Sequence, residues 1–155
     1  MICPVTRSTS FLGFNVVVVS FSLKFLFLFF FFLGSSSAVR IAVLDGLTFL
    51  LDNHLSHPIL KGLLPSLGGL IHDSTEKVRS AFANLLAAVK GVKLIKFYDI
   101  VKVEDLILRL KIDPPNIQSK IVHLLMNSYF PINKPLSVQL KRCIFFLKQV
   151  WTPNN

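Results

Sequence analysis

The chain has 155 residues, long enough for one domain with a real core, and carries 17 basic against 8 acidic residues for a formal net charge of +9. That excess points to acidic partners, nucleic acid or an anionic membrane surface, without choosing between them. Two cysteines, Cys3 and Cys143, give no disulfide framework or zinc spacing, and no Asn-x-Ser/Thr acceptor occurs, so a reducing compartment fits better than a secreted fate.

Composition is uneven. Most of the 15 phenylalanines lie before residue 33. Residues 1–34 read as a hydrophobic, Phe-rich segment outside the fold, and 35–155 as a helical segment. The later segment holds fifteen basic and all eight acidic residues, a net +7. From Phe11 to Leu33 the sequence is nearly continuous apolar, long enough to cross a bilayer at about 20 residues. Arg7 would flank such a span, and Ser36-Ser37-Ala38 resembles a small-residue cleavage site. Lys24 near its centre opposes insertion by about 2.5 to 3.5 kcal/mol. Phe, Leu and Ser are also written with pyrimidine-rich codons, so the same segment reads as translated intron ahead of a splice acceptor. A buried core helix is the third reading. Gln149-Val150 can likewise be written as a donor-like junction, which sets Trp151 to Asn155 apart as a foreign tail.

After a capping serine cluster, the next stretch predicts a helix over AVRIAVLDGLTFLLDN, with Val39, Val43, Leu47, Leu50 and Leu51 as its apolar stripe. Asp52-Asn53-His54 ends it, and Pro58 suits the first turn of a second helix. That helix, expected to run past Pro65 through Leu60, Leu63, Leu64, Leu67 and Leu70-Ile71, contains Gly62, Gly68 and Gly69. Each glycine lowers helix propensity by about 1 kcal/mol, so the helix depends on close packing against a neighbour. Asp73-Ser74 forms a turn, and Thr75 to Lys90 follows as a helix burying Val78, Phe82, Leu85, Leu86 and Val89.

Val92 to Lys111 reads as a broken helix: Leu94, Ile95, Phe97 and Tyr98 in one part, Val103, Leu106, Ile107 and Leu110 in the other. Asp113-Pro114-Pro115-Asn116 marks a strong boundary before the next helix. Pro131 and Pro135 punctuate a loop, and Leu136 to Val150 closes the series as another helix.

An ungapped offset of 39 residues relates three of these helices. Val39-Arg40 falls on Val78-Arg79, Ala42 on Ala81, Val43 on Phe82 and Leu47 on Leu86. A further 39 residues brings Ser119 under Ser80, Ile121 under Phe82 and Leu124-Leu125 under Leu85-Leu86. The period lies at the edge of the range for HEAT-type helical repeats. The expected fold is therefore all-α, an α-solenoid of antiparallel helical hairpins, HEAT-like in an ARM-type superhelix. It contains two hairpins between an orphan second helix and an orphan first helix. Unstacked faces at its ends predict poor solubility for the segment alone. In HEAT repeats an acidic turn and a second-helix arginine commonly link adjacent hairpins, so Arg79 is paired with Asp73 as a structural inter-repeat contact, with Arg40 and Asp113 in comparable places; the alternative is ligand or partner binding.

Asp52, His54, His57, His72 and Asp73 cluster near hairpin ends, but their spacing matches no helical zinc motif and turn formation explains them, so no metal site is expected. No nucleophile-base order or phosphate-cradling glycine loop occurs either. The expectation is a protein that is not an enzyme and uses no cofactor. The basic residues are the functional candidates. Lys90, Lys93 and Lys96 recur every three residues with Lys102 beyond, and Lys141, Arg142 and Lys148 form a second group. Either can contact DNA phosphates without reading sequence; the alternative is a solvated face.

The run LDNHLSHPILKGLLPSLGGLIHDSTEKVRSAF, followed by VKLIKFYDI, LILRLKID and NSYFPINKP, resembles the family of HEAT-repeat G-two subunits of condensin II over roughly residues 36 to 150. Residues 1–34 have no counterpart there. The resemblance implies a nuclear, chromosome-associated, non-catalytic scaffold that binds a kleisin subunit and contributes to DNA engagement in mitotic chromosome condensation. The alternative is a membrane-tethered helical-repeat adaptor for protein-protein interaction, which requires residues 11–33 to be translated and inserted.

Overall fold

The computed structural model describes residues 36–151, and every regular element among them is helical. The chain divides into two units, Met1–Ser36 and Ser37–Asn155, of which the second is the one described below. The readings placed on residues 1–34 lie outside the described residues, as do residues 152–155 of the tail set apart from Trp151 onward; Trp151 itself ends the last helix. Among the described residues no helix is long and apolar enough to cross a membrane.

Six α-helices are present among the described residues: α1 (Ser37–Leu50), α2 (His57–Leu63), α3 (Glu76–Val89), α4 (Val103–Ile112), α5 (Pro115–Tyr129) and α6 (Leu136–Trp151). They form two layers. The helices related by the 39-residue offset, α1, α3 and α5, pack side by side in one layer. The other layer holds α2 with its 3-10 continuation, α4 and α6. Between the layers lies a core in which Leu44, Leu64, Leu67, Phe82, Leu86, Leu106 and Ile121 are all but inaccessible.

In α1 the buried line is Leu44, Leu47 and Leu51, while Val39, Val43 and Leu50 are only half-buried. The stripe expected from the sequence is thus rotated onto Leu44, because α1 packs chiefly on α3. All five positions expected inside α3 are buried, with Ala81 and Ala83 added. In α5 the buried residues Ile117, Ile121, Leu124 and Leu125 follow the same register.

The second helix departs from expectation in kind. It is α-helical only to Leu63 and continues as a nine-residue 3-10 helix, Leu64–His72, with Pro65 in its first turn. Such length is uncommon for a 3-10 helix, whose three-residue turn stacks residues i and i+3. Here Leu64, Leu67 and Leu70 are spaced by three and all face the core. Burial of that leucine line favours the tighter winding, and Pro65, with no N–H to donate, fits its first turn.

Val92 to Lys102 is the second departure. It contains a single 3-10 turn, Phe97–Asp99, and no α-helix. Ile95 and Phe97 are buried, but Leu94 and Tyr98, placed on the same apolar stripe by the sequence, are 45% and 53% exposed. Val92, Ile100 and Val101 join the core from this irregular segment. Gly68 explains how the segment sits so close: a Cβ there would collide with the Ile100 carbonyl, whereas Gly62 and Gly69 face open space. Of the three glycines, only Gly68 is required by close approach. Helix α4 then begins at Val103 with Glu104 and Asp105 in its first turn, where carboxylates favour the positive end of the helix dipole.

Two arginines at positions 39 residues apart each hold an aspartate. Arg40 of α1 holds Asp73 through Nε to Oδ2 at 2.8 Å and Nη2 to Oδ1 at 3.1 Å. Arg79 of α3 holds Asp113, Nε donating to Oδ1 at 2.9 Å with Nη2 in ion-pair contact with the same oxygen at 2.8 Å. Arg79 also donates to the Asp73 and Ser74 carbonyls. Asp73 accepts in addition from the Thr75 amide at 2.8 Å, closing the turn before α3. The Asp113 carboxylate is fully buried, and Arg109 stands 3.8 Å away as a second cation.

Two stability outcomes follow from this packing. Gly68→Ala should lower stability by about 1 to 3 kcal/mol through overpacking, whereas Gly62→Ala, on an open helical surface, should raise it by up to about 1 kcal/mol; urea unfolding of the full chain measures both. Asp113→Ala leaves Arg79 without its partner inside the core and should cost about 3 to 5 kcal/mol. Asp73→Ala, whose arginine is a quarter exposed, should cost less, about 1.5 kcal/mol. Equal losses at the two aspartates would show that burial does not set the difference.

Candidate nucleic-acid interface

The basic residues singled out in the sequence do not share one helix face. Lys90 caps the C-terminal end of α3, Lys93 lies in the turn that follows, and Lys96 precedes the Phe97–Asp99 turn. Their three-residue recurrence is therefore not a helical stripe. Lys102 sits at the N-cap of α4, and Lys141, Arg142 and Lys148 are exposed on α6.

What the fold does bring together is one member pair of the first group and one residue of the second. Lys90, Lys96 and Arg142 line a single groove of about 460 Å³, with Ile95, Phe97, Tyr98, Ser128 and Tyr129 as the rest of its wall. Lys93, Lys102, Lys141 and Lys148 stay outside it. No carboxylate belongs to this lining.

The cations are held without being neutralised. Lys90 donates from Nζ to the His123 carbonyl at 3.0 Å, and Arg142 from Nη1 to the Ser128 carbonyl at 2.8 Å. A carbonyl acceptor orients the side chain but leaves its full charge and its other N–H donors in place. Lys96, exposed at the rim, forms no ion pair among the described residues.

Aromatic packing sets the position of Arg142. Tyr129 of α5 stacks on Phe145 of α6 with ring centroids 6.1 Å apart and planes 8° from parallel. Phe146 packs against both Tyr129 and Phe130, at 5.4 and 5.6 Å. On the opposite wall the buried Phe97 meets Tyr98 edge-on at 5.5 Å, which fixes the half-exposed Tyr98 ring. Burial pushes the Tyr129 phenol above its ordinary pKa; Glu104 and Tyr98 raise it further, and Arg142 acts in the opposite direction.

Three of the five polar residues weighed as metal ligands have other partners. His57 pairs through Nε2 with the Leu51 carbonyl at 2.9 Å. His72 accepts at Nδ1 from Arg109 and donates from Nε2 to Asp105 at 3.0 Å. Asp73 belongs to Arg40. Among the described residues no three His, Cys, Asp or Glu side chains converge.

The groove's aromatic components escaped the sequence reading, which assigned Phe97 and Tyr98 to an apolar stripe. The signal was present in KLIKFY, where lysines interleave with aromatic residues. The partnership with Arg142 had no local signal, because it depends on how α6 packs on α5.

Comparison with known proteins returns one consistent relative. The chain is 41% identical over 114 residues to condensin-2 complex subunit G2 of Danio rerio, covering 74% of this chain. It is 42% identical over 114 residues to the Mus musculus protein and 42% over 110 residues to the Homo sapiens protein. In each case the chain spans 10% of the relative's length. No family model matches, and no solved structure matches. Over about three quarters of its length the chain belongs to the condensin-2 complex subunit G2 family, of which it carries a short segment.

Proposed function

We propose that residues 36–151 are a run of HEAT-like repeats in an α-solenoid, acting as a non-catalytic scaffold within a condensin II complex. Its place is the nucleus, on chromosomes, and its role is in mitotic chromosome condensation through a kleisin partner and DNA. The observation that carries this reading is the register of α1, α3 and α5. They pack side by side at 39-residue steps, tied by Arg40 to Asp73 and Arg79 to Asp113 at equivalent positions. Similarity to condensin-2 complex subunit G2 supports the complex it serves.

One further feature agrees with a solenoid. Helix α6 has no buried residue, and its Leu140, Ile144, Leu147 and Trp151 are all about half-exposed or more. A repeat buries such a face by stacking on a neighbour. The arginine-aspartate contacts are read as inter-repeat links and the basic groove as the place where DNA phosphates are met. Lys93, Lys102, Lys141 and Lys148 supply weaker, exposed contacts around it.

Expressed with a tag in dividing cells, the full chain should fractionate with chromatin and co-purify with the condensin II kleisin. Recovery in membranes without kleisin would overturn the scaffold reading. For the interface, the double substitution Lys96→Glu with Arg142→Glu should weaken duplex DNA binding at least tenfold and flatten the slope of log affinity against log salt by about 2. The slope should fall less in Lys148→Glu. Unchanged affinity in the double variant would remove the groove from DNA contact.

A further inference from the structure

We propose that the groove accepts a single strand of nucleic acid, its phosphates met by Lys90, Lys96 and Arg142 and one base stacked on Tyr98. This deepens the assignment of these cations to phosphate contact and rests on it.

Phosphate contact alone needs no aromatic residue. A basic surface that only tracks the outside of a duplex meets phosphates and sugars, since the base faces are hidden in the stack. Here the cations surround a concave space, and the exposed ring of Tyr98 forms part of its wall. Sites for single strands combine these same two elements, a cationic track and aromatic faces for unstacked bases.

The details favour a polyanion over a neutral or cationic ligand. Lys90 and Arg142 are tethered by neutral carbonyls, so their charge is undiminished and their geometry pre-set. Tyr98 is braced by the buried Phe97, so a base stacking there does not have to order a mobile ring. The carboxylate that bears on Tyr129, Glu104, is not part of the groove's lining. Three cations drawn from α3, the following loop and α6 suit a chain of repeated phosphates better than a peptide carrying one phosphotyrosine.

The test uses the full chain and fluorescence anisotropy with two labelled probes, an oligothymidylate of about eight nucleotides, within the usual site size, and a mixed-sequence duplex. Tyr98→Ala should weaken oligothymidylate binding about tenfold and leave duplex binding unchanged. Tyr98→Phe should restore the oligothymidylate affinity, because the ring face is what stacks. Circular dichroism of each variant establishes that the helices are intact. If Tyr98→Ala changes neither probe while Lys96→Glu with Arg142→Glu weakens both, the single-strand inference fails and the phosphate reading stands. If the double charge reversal changes neither probe, both fail. Tighter binding of a phosphotyrosine peptide than of oligothymidylate, at the same site by competition, also overturns the inference.

Discussion

A carboxylate with no access to water governs the geometry of the described residues. Asp113 sits between α4 and α5 with its side chain fully buried, and Arg79 reaches it from α3 with two nitrogens on one oxygen. Removing a charge of this kind from water costs several kcal/mol, and only a well-placed opposite charge offsets it. The pair therefore tolerates little displacement. Because Arg79 simultaneously donates to the carbonyls of Asp73 and Ser74, one guanidinium joins the turn before α3 to the corner before α5. The pair is better regarded as a device for setting register than as a source of net stability, since an apolar replacement of the whole unit would satisfy the core as well.

That register has consequences farther along the chain. With α5 located against α3, Tyr129 and Phe130 present the rings on which Phe145 and Phe146 of α6 pack. Helix α6, none of whose residues is fully buried, is held by this aromatic contact together with its packing on α4 and the Arg142 bond to the Ser128 carbonyl. Arg142 arrives opposite Lys90 and Lys96 for that reason. The groove is thus assembled by packing far from its own charges, and residues from α3, the loop after it, α5 and α6 share in it.

The irregular segment between α3 and α4 plays the complementary part. A helix there would have turned Leu94 and Tyr98 along one face with Ile95 and Phe97. As a loop anchored by its close approach to Gly68, it buries Ile95 and Phe97 while leaving Lys96 and Tyr98 at the surface. Alternation of buried and exposed side chains puts a cation and an aromatic face on the same wall. Local irregularity is what gives this part of the repeat a surface chemistry that its helices lack.

Much of the fold was legible without coordinates. The 39-residue offset named the three helices that pack together, and the leucines of α3 and α5 were placed in the core correctly because burial on a helix follows a fixed 3.6-residue period. Arg40 and Arg79 could be singled out because the same 39-residue offset relates them, although the sequence pairs Arg79 with Asp73 and the structure gives it the Asp113 carboxylate. Winding was less legible: leucines spaced by three suit an α-helix or a 3-10 helix, and only the packing around Leu64, Leu67 and Leu70 selected the second. Least legible was the groove. Lys96 and Arg142 are 46 positions apart, and no periodicity relates residues on different elements. Sequence by itself determined that the chain is helical and which faces of α3 and α5 are apolar, since those depend on local spacing. Tertiary structure alone decided which charges meet, since that depends on a buried ion pair and an aromatic contact between helices.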